Sequence, residues 1–251
     1  MTTNRFNRFV LWLTTALLSA GLMAQTTTLL ALLFPVSSSA QTFPSVIEVS
    51  ELDGSDGFEL LGAAAGDQAG TAVAGPGDLN EDGFVDVVIG APFNDNFAAD
   101  AGMTYVLFGG TDPNLGFSGL FLSGLNGTTG FGLSGRTAGE RSGSAVSAAG
   151  DVNDDGQQDL AIGAPFADDG GENSGNAYVV YGDDGITGGF AIRWLTGLDG
   201  EWGVGFRGAA AGDMAGASVT SAGDLNADGV ADLVIGAPGA SPSGATGAGA
   251  A

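Results

Sequence analysis

Residues 77–92 read GDLNEDGFVDVVIGAP, where Asp78, Asn80, Asp82 and Asp86 set oxygen-bearing side chains at positions 1, 3, 5 and 9 of a loop that runs into an apolar segment. The set returns as Asp151, Asn153, Asp155 and Asp159 in GDVNDDGQQDLAIGAP, and as Asp224, Asn226, Asp228 and Asp232 in GDLNADGVADLVIGAP. Odd-numbered side chains converge when such a loop curls. Gly83, Gly156 and Gly229 at position 6 permit the turn that brings round the position 7 carbonyl of Phe84, Gln157 or Val230. Carboxylates and carbonyls alone favour a hard cation, and a flexible loop favours Ca²⁺ over the stricter octahedron of Mg²⁺. The expectation is about three Ca²⁺ ions, one per loop. Without a cation, carboxylates within about 5 Å would repel by roughly 3 kcal/mol per pair at an effective dielectric near 20.

The plain alternative is an acidic turn without metal, since Asp, Asn and Gly all favour turns. Against it, position 4 drifts through Glu81, Asp154 and Ala227 while the oxygen donors stay fixed. The loop is not an EF-hand. Position 12, where that motif needs a bidentate Glu, holds Ile89, Ile162 and Ile235, which read as strand residues.

The elements around the loops follow a strict period. The three copies start at 77, 150 and 223, 73 residues apart, and the match extends upstream through Gly70, Gly143 and Gly216 and through Val73, Val146 and Val219. Constant register means a repeat architecture. Each unit reads as short strands and turns: SAVSAAG before the loop, DLAIGAP after it, then GNAYVVYG and FAIRWLTG. The predicted fold is therefore all-β, with β-propeller blades of about four antiparallel strands. The predicted units are 46–117, 118–189 and 190–251. Residues 41–251 hold about 2.9 periods of 73, fewer than the four to eight blades of a closed propeller. An incomplete propeller is expected, either as a fragment of a longer chain or as an arc that forms a ring with other copies.

Composition narrows the function. The 251 residues include no Cys, no His and no Lys, which excludes disulfides, thiol catalysis, His-based triads and His-ligated zinc. A net charge of −23 argues against sequence-independent binding to nucleic acid or anionic lipid. In residues 1–40, Arg5 and Arg8 precede a long apolar stretch that ends in SSSA, the pattern of a signal peptide with cleavage after Ala40. An uncleaved membrane anchor is the alternative. After cleavage no membrane insertion is expected. Residues 41–251 then carry all 29 acids against four Arg, and lack Cys in an exported setting, so something other than disulfides must staple them.

The acidic loop followed by IGAP and preceded by AG…G…V…AGD resembles the FG-GAP repeat of integrin alpha-subunit β-propellers, over nearly all of residues 46–251. The Phe-Gly half appears as Ala69-Gly70, Ser142-Gly143 and Ala215-Gly216, while Gly-Ala-Pro is intact at 90, 163 and 236. The resemblance implies a calcium-stabilised, noncatalytic module, secreted or at the cell surface, that adheres to an extracellular protein or glycan ligand. The competing class is a carbohydrate-active propeller. Glycoside hydrolysis needs only two carboxylates, but most acids repeat with the unit: Asp67, Glu140 and Asp213 share one position, which leaves Glu59, Glu172 and Glu201 as loose candidates. Glycan binding would use an exposed aromatic, and Trp202 in an inter-strand loop is the candidate, with Trp194 expected in the core.

Overall fold

The structure, a computed structural model, describes residues 58–110, 120–182 and 191–251, together with Glu48 and Leu52. The export signal and its cleavage point lie outside the described residues. The chain divides into Met1–Val46 and Ile47–Ala251, and the second unit carries everything below.

Its strands are β1 (Leu60–Leu61), β2 (Ala72–Gly77), β3 (Asp86–Ala91), β4 (Met103–Leu107), β5 (Leu120–Phe121), β6 (Gly130–Ser134), β7 (Ala145–Gly150), β8 (Asp159–Ala164), β9 (Asn176–Val180), β10 (Ile192–Trp194), β11 (Gly203–Arg207), β12 (Ser218–Gly223) and β13 (Asp232–Gly236). Among the described residues helix is confined to three short 3-10 turns. Strands β2, β3, β4 and β6 form one antiparallel sheet in that order, and β7, β8, β9 and β11 form its equivalent. Strands β12 and β13 begin a third. This is the blade arrangement of a propeller, with sheets that do not close on one another.

The sequence explains which strand goes where. In β4 (MTYVL) and β9 (NAYVV) every residue is buried, as in a strand covered on both faces. The inner strands β2, β7 and β12 lie side by side and are built from small residues, AVAGPG, AVSAAG and SVTSAG. Between the first two sheets, Val88, Val106, Phe131 and Leu133 pack against Leu160, Ile162, Tyr178 and Leu195. Between the second and third the core is thinner, with Ala149, Ala161, Ala177 and Val179 meeting Val219 and Ile235.

The repeated glycines set the approach of the sheets. Gly70, Gly143 and Gly216 donate their N–H to the carbonyls of Gly90, Gly163 and Gly236, tying the two halves of the sequence motif together inside each unit. A Cβ on Gly90 would collide with the carbonyl oxygen of Gly143, and one on Gly163 with that of Gly216. The Gly of Gly-Ala-Pro is thus where one sheet presses on the next, while the lost Phe leaves this contact intact.

Two expectations are corrected. FAIRWLTG does not supply a fourth antiparallel strand. Its residues 192–194 form β10, which pairs in parallel with β6 of the first sheet, as β5 pairs with β1. The fourth strand is β11, so each sheet draws its outer strand from past the unit limits at 117 and 189. The reason is connectivity: before returning as the outer strand, the chain lies along the edge of the preceding sheet. Trp194 is therefore on the surface, 55% exposed, where its ring meets Phe97 with centroids 5.8 Å apart. Trp202 is partly buried against the core between the first two sheets and donates its Nε1–H to the Gly197 carbonyl at 2.6 Å.

Candidate metal centres

Each acidic loop joins the two innermost strands of its sheet. A β-bulge repeats just before it, between Ala74 and Gly77, Ala148 and Gly150, and Ser221 and Gly223, and this bulge turns the strand into the loop. The loops lie beside one another. Gln158 packs against Gly77, and the Ala231 N–H donates to the Asp151 carbonyl at 2.8 Å.

The backbone hydrogen bonds inside the loop are the same three times, but the Asn226 amide of the third turns to Asp232, at 3.5 Å, where Asn80 and Asn153 meet Asp82 and Asp155. In the second loop the Asp151 carboxylate accepts from the N–H groups of Asp155 and Gly156 at 3.2 and 2.8 Å. Asp155 accepts from the Gln157 N–H at 2.8 Å and from the Asn153 side-chain amide at 2.7 Å. The first loop repeats this with Asp78, Asn80, Asp82 and Phe84. In the third, Asp224, Asn226, Asp228 and Val230 repeat the backbone bonds. Positions 1, 3 and 5 therefore accept backbone N–H groups of the loop in every copy, and position 7 takes part through its N–H. Position 4, which varies in the sequence, is fixed in the backbone: Glu81, Asp154 and Ala227 all take positive φ, 56°, 60° and 60°. Sequence reasoning missed that constraint because the three residue types share no backbone preference.

Position 9 behaves differently. Asp86 and Asp159 are buried, and each carboxylate accepts two backbone N–H groups: Leu79 and Gly109 for the first, at 2.8 and 2.9 Å, Val152 and Gly182 for the second, at 2.8 and 2.9 Å. Burial pushes the Asp159 carboxyl up to about 6. Those N–H groups oppose the shift, and the charges of Asp155 and Asp151 add to it. Asp86 is raised for the same reasons, with Asp82 and Asp78 as its charged neighbours. The acids of one loop thus sit close enough to penalise one another's charge. A divalent cation would relieve this, and the donor set, all oxygen, fits a hard one. Among the described residues no group of three or more Asp, Glu, His or Cys side chains converges in metal-binding geometry; the loop carboxylates are turned to backbone N–H groups.

The other acids have structural partners. Asp67 and Asp213 accept from the N–H three residues earlier, at 3.2 and 2.9 Å, and Glu140 from those of Arg136 and Thr137, at 2.9 and 3.0 Å. Glu59, Glu172 and Glu201 are exposed.

A 73-residue blade whose first two strands are joined by an Asp-Asn-Asp loop, and whose Gly-Ala-Pro segment meets the next blade, defines a class of propeller repeat. The FG-GAP repeat family matches residues 69–107, 142–180 and 215–251. The chain carries three FG-GAP repeats, and it resembles the N-terminal propeller of integrin alpha subunits. It is 32% identical over 169 residues to integrin alpha-5 of Xenopus laevis, 34% over 172 to integrin alpha-PS5 of Drosophila melanogaster, and 33% over 182 to integrin alpha-4 of Xenopus laevis. These stretches cover 64%, 65% and 72% of this chain, but only 14%, 14% and 15% of the relatives. Among the described residues no helix is long and apolar enough to cross a membrane.

Proposed function

We propose that the chain is a secreted or cell-surface, noncatalytic adhesion and ligand-binding module whose blades are held by about three Ca²⁺ ions. The observation that supports it is the threefold recurrence of one oxygen donor arrangement, with burial first and the neighbouring carboxylates second raising the position 9 carboxyl in the first two copies. A bound cation would supply the positive charge that lets the three carboxylates of a loop ionise together. Positions 1 and 5 curl the loop through their bonds to backbone N–H groups, and position 9 anchors it to the ends of the third strands, β4 and β9, through Gly109 and Gly182. The loops would then act as the staples of a chain without Cys. Likeness to integrin alpha subunits supports an extracellular protein or glycan as ligand.

Calorimetric titration with calcium tests the reading. About three ions per chain are expected, with affinity near 10⁻⁴ to 10⁻³ M as in extracellular modules. Indifference of the melting temperature to calcium, or equal effects of calcium and magnesium chloride, would leave the loops as acidic turns.

A further inference from the structure

Outside residues 1–40 this strongly acidic chain has four cationic side chains, Arg136, Arg141, Arg193 and Arg207. Arg141 is taken up between the rings of Phe93 and Phe166, at 4.6 and 4.7 Å from their centroids. The other three gather at one place. Arg136 and Arg207 line a cleft of about 450 Å³ beside β9 and β11, with Leu195, Thr196, Leu198, Asp199 and Gly200 also in its wall. Arg193 lines a shallower hollow with Trp194 and Trp202, and the two hollows share Thr196.

The cleft is built, and its hydrogen bonding is unfinished. Arg136 and the side-chain amide of Asn176 both donate to the same oxygen of Asp169, at 2.6 and 2.8 Å, and Arg207 stands 3.7 Å from it. Asn176 is 1% exposed, yet its Oδ1 has no donor, and the buried Arg136 Nε has no acceptor. Orphaned buried polar atoms of this kind are uncommon and call for a partner. The missing partners are one donor and one acceptor, beside two guanidiniums that share a single carboxylate oxygen. Asp169 follows β8 whereas the acidic loop precedes it, so the cleft lies at the opposite end of that strand from the cation loop.

The equivalent cleft one blade earlier shows that this chemistry is local. There Ala63 stands for Arg136, Met103 for Asn176 and Asn96 for Asp169 in a hollow of about 480 Å³. A feature needed by the fold would repeat with the blade; this one does not.

The geometry points to a binding site for a carboxylated sugar, with Arg136 and Arg207 receiving the carboxylate, Asn176 Oδ1 accepting from a hydroxyl, and Trp194 offering a ring face to the adjoining pyranose. This rests on the ligand-binding reading above and names the ligand class for it. A uronate carries both missing groups, a carboxylate that accepts from guanidinium and hydroxyls that donate to an amide oxygen. The half-exposed Trp194, set against Phe97, supplies the apolar face that sugar rings stack on.

The test is binding of the purified chain, at fixed free calcium, to a tetrasaccharide of alternating glucuronate and N-acetylglucosamine, with an N-acetylglucosamine tetramer and an Asp-rich peptide as comparisons. Saturable binding to the uronate oligosaccharide alone is expected. Arg207→Glu and Trp194→Ala, both at exposed positions, should each weaken it at least about tenfold with the melting temperature unchanged. Equal binding of the neutral tetramer, binding of the peptide alone, or an Arg207→Glu variant that binds as well as the parent would each overturn the assignment. The calcium stoichiometry of the same preparation separates the two readings: three ions bound without uronate binding removes this site and leaves the cation loops standing.

Discussion

Asp159 and Asp232 hold the ninth position of the same motif, yet one is fully buried and the other half open. Both accept from the N–H seven residues earlier, Val152 at 2.8 Å and Leu225 at 2.7 Å. The difference is the second bond. Asp159 also accepts from Gly182, just beyond β9, whereas the other oxygen of Asp232 meets only the Asn226 side-chain amide, at 3.5 Å. Leu225 is 72% exposed where its counterpart Leu79 is wholly buried. An identical loop is therefore a buried charged anchor or an open turn, according to whether a third strand lies alongside.

Removing the anchor should expose that contrast most strongly. Asp159→Ala leaves two backbone N–H groups without an acceptor and should cost about 3 kcal/mol in chemical denaturation, whereas Asp232→Ala should cost less than about 1 kcal/mol. Similar losses at the two sites would break the comparison. The next effect is on pH dependence. The folded value of Asp159 near 6 lies above its ordinary 3.8, so in chelator the folded chain holds an extra proton between about pH 4 and 6. Stability without divalent cations should then fall as pH rises through that window and level off above it. Calcium favours the ionised carboxylate, so its affinity should rise over the same range, and Asp159→Asn should remove this loop's share of both trends. Melting curves at fixed ionic strength read the first and calorimetry the second.

Position 5 tests whether the open loop still binds. Asp155→Ala and Asp228→Ala should each lower the calcium stoichiometry by one if both loops take an ion, and a drop only for Asp155→Ala would tie binding to the covering strand. The smallest effect concerns position 4. Ala227 takes a φ of 60° that glycine adopts freely, so Ala227→Gly should raise stability by up to about 1 kcal/mol, and Asp154→Gly by less, because Asp tolerates this conformation better. Thermal shifts on the two variants would rank them.

Much of this was legible in advance. The 73-residue period, the three acidic loops and the strands on either side of them are local patterns, and the repetition of Asp67, Glu140 and Asp213 is matched by their turn-capping bonds. The roles of the two tryptophans were not. FAIRWLTG alternates as a core strand would, and only the crossing of the chain onto the preceding sheet puts Trp194 outside and leaves Trp202 against the core.

The sequence by itself determined what each unit is made of, because strand periodicity and Asx-Gly turn chemistry act between residues a few positions apart. Tertiary structure decided how the units meet: the collision that forbids a side chain at Gly90 involves Gly143, and the cleft of Arg136, Asp169, Asn176 and Arg207 draws on residues up to 71 positions apart. Partners so distant leave no periodic trace in the chain, since their proximity comes from the stacking of one sheet on another rather than from any local preference.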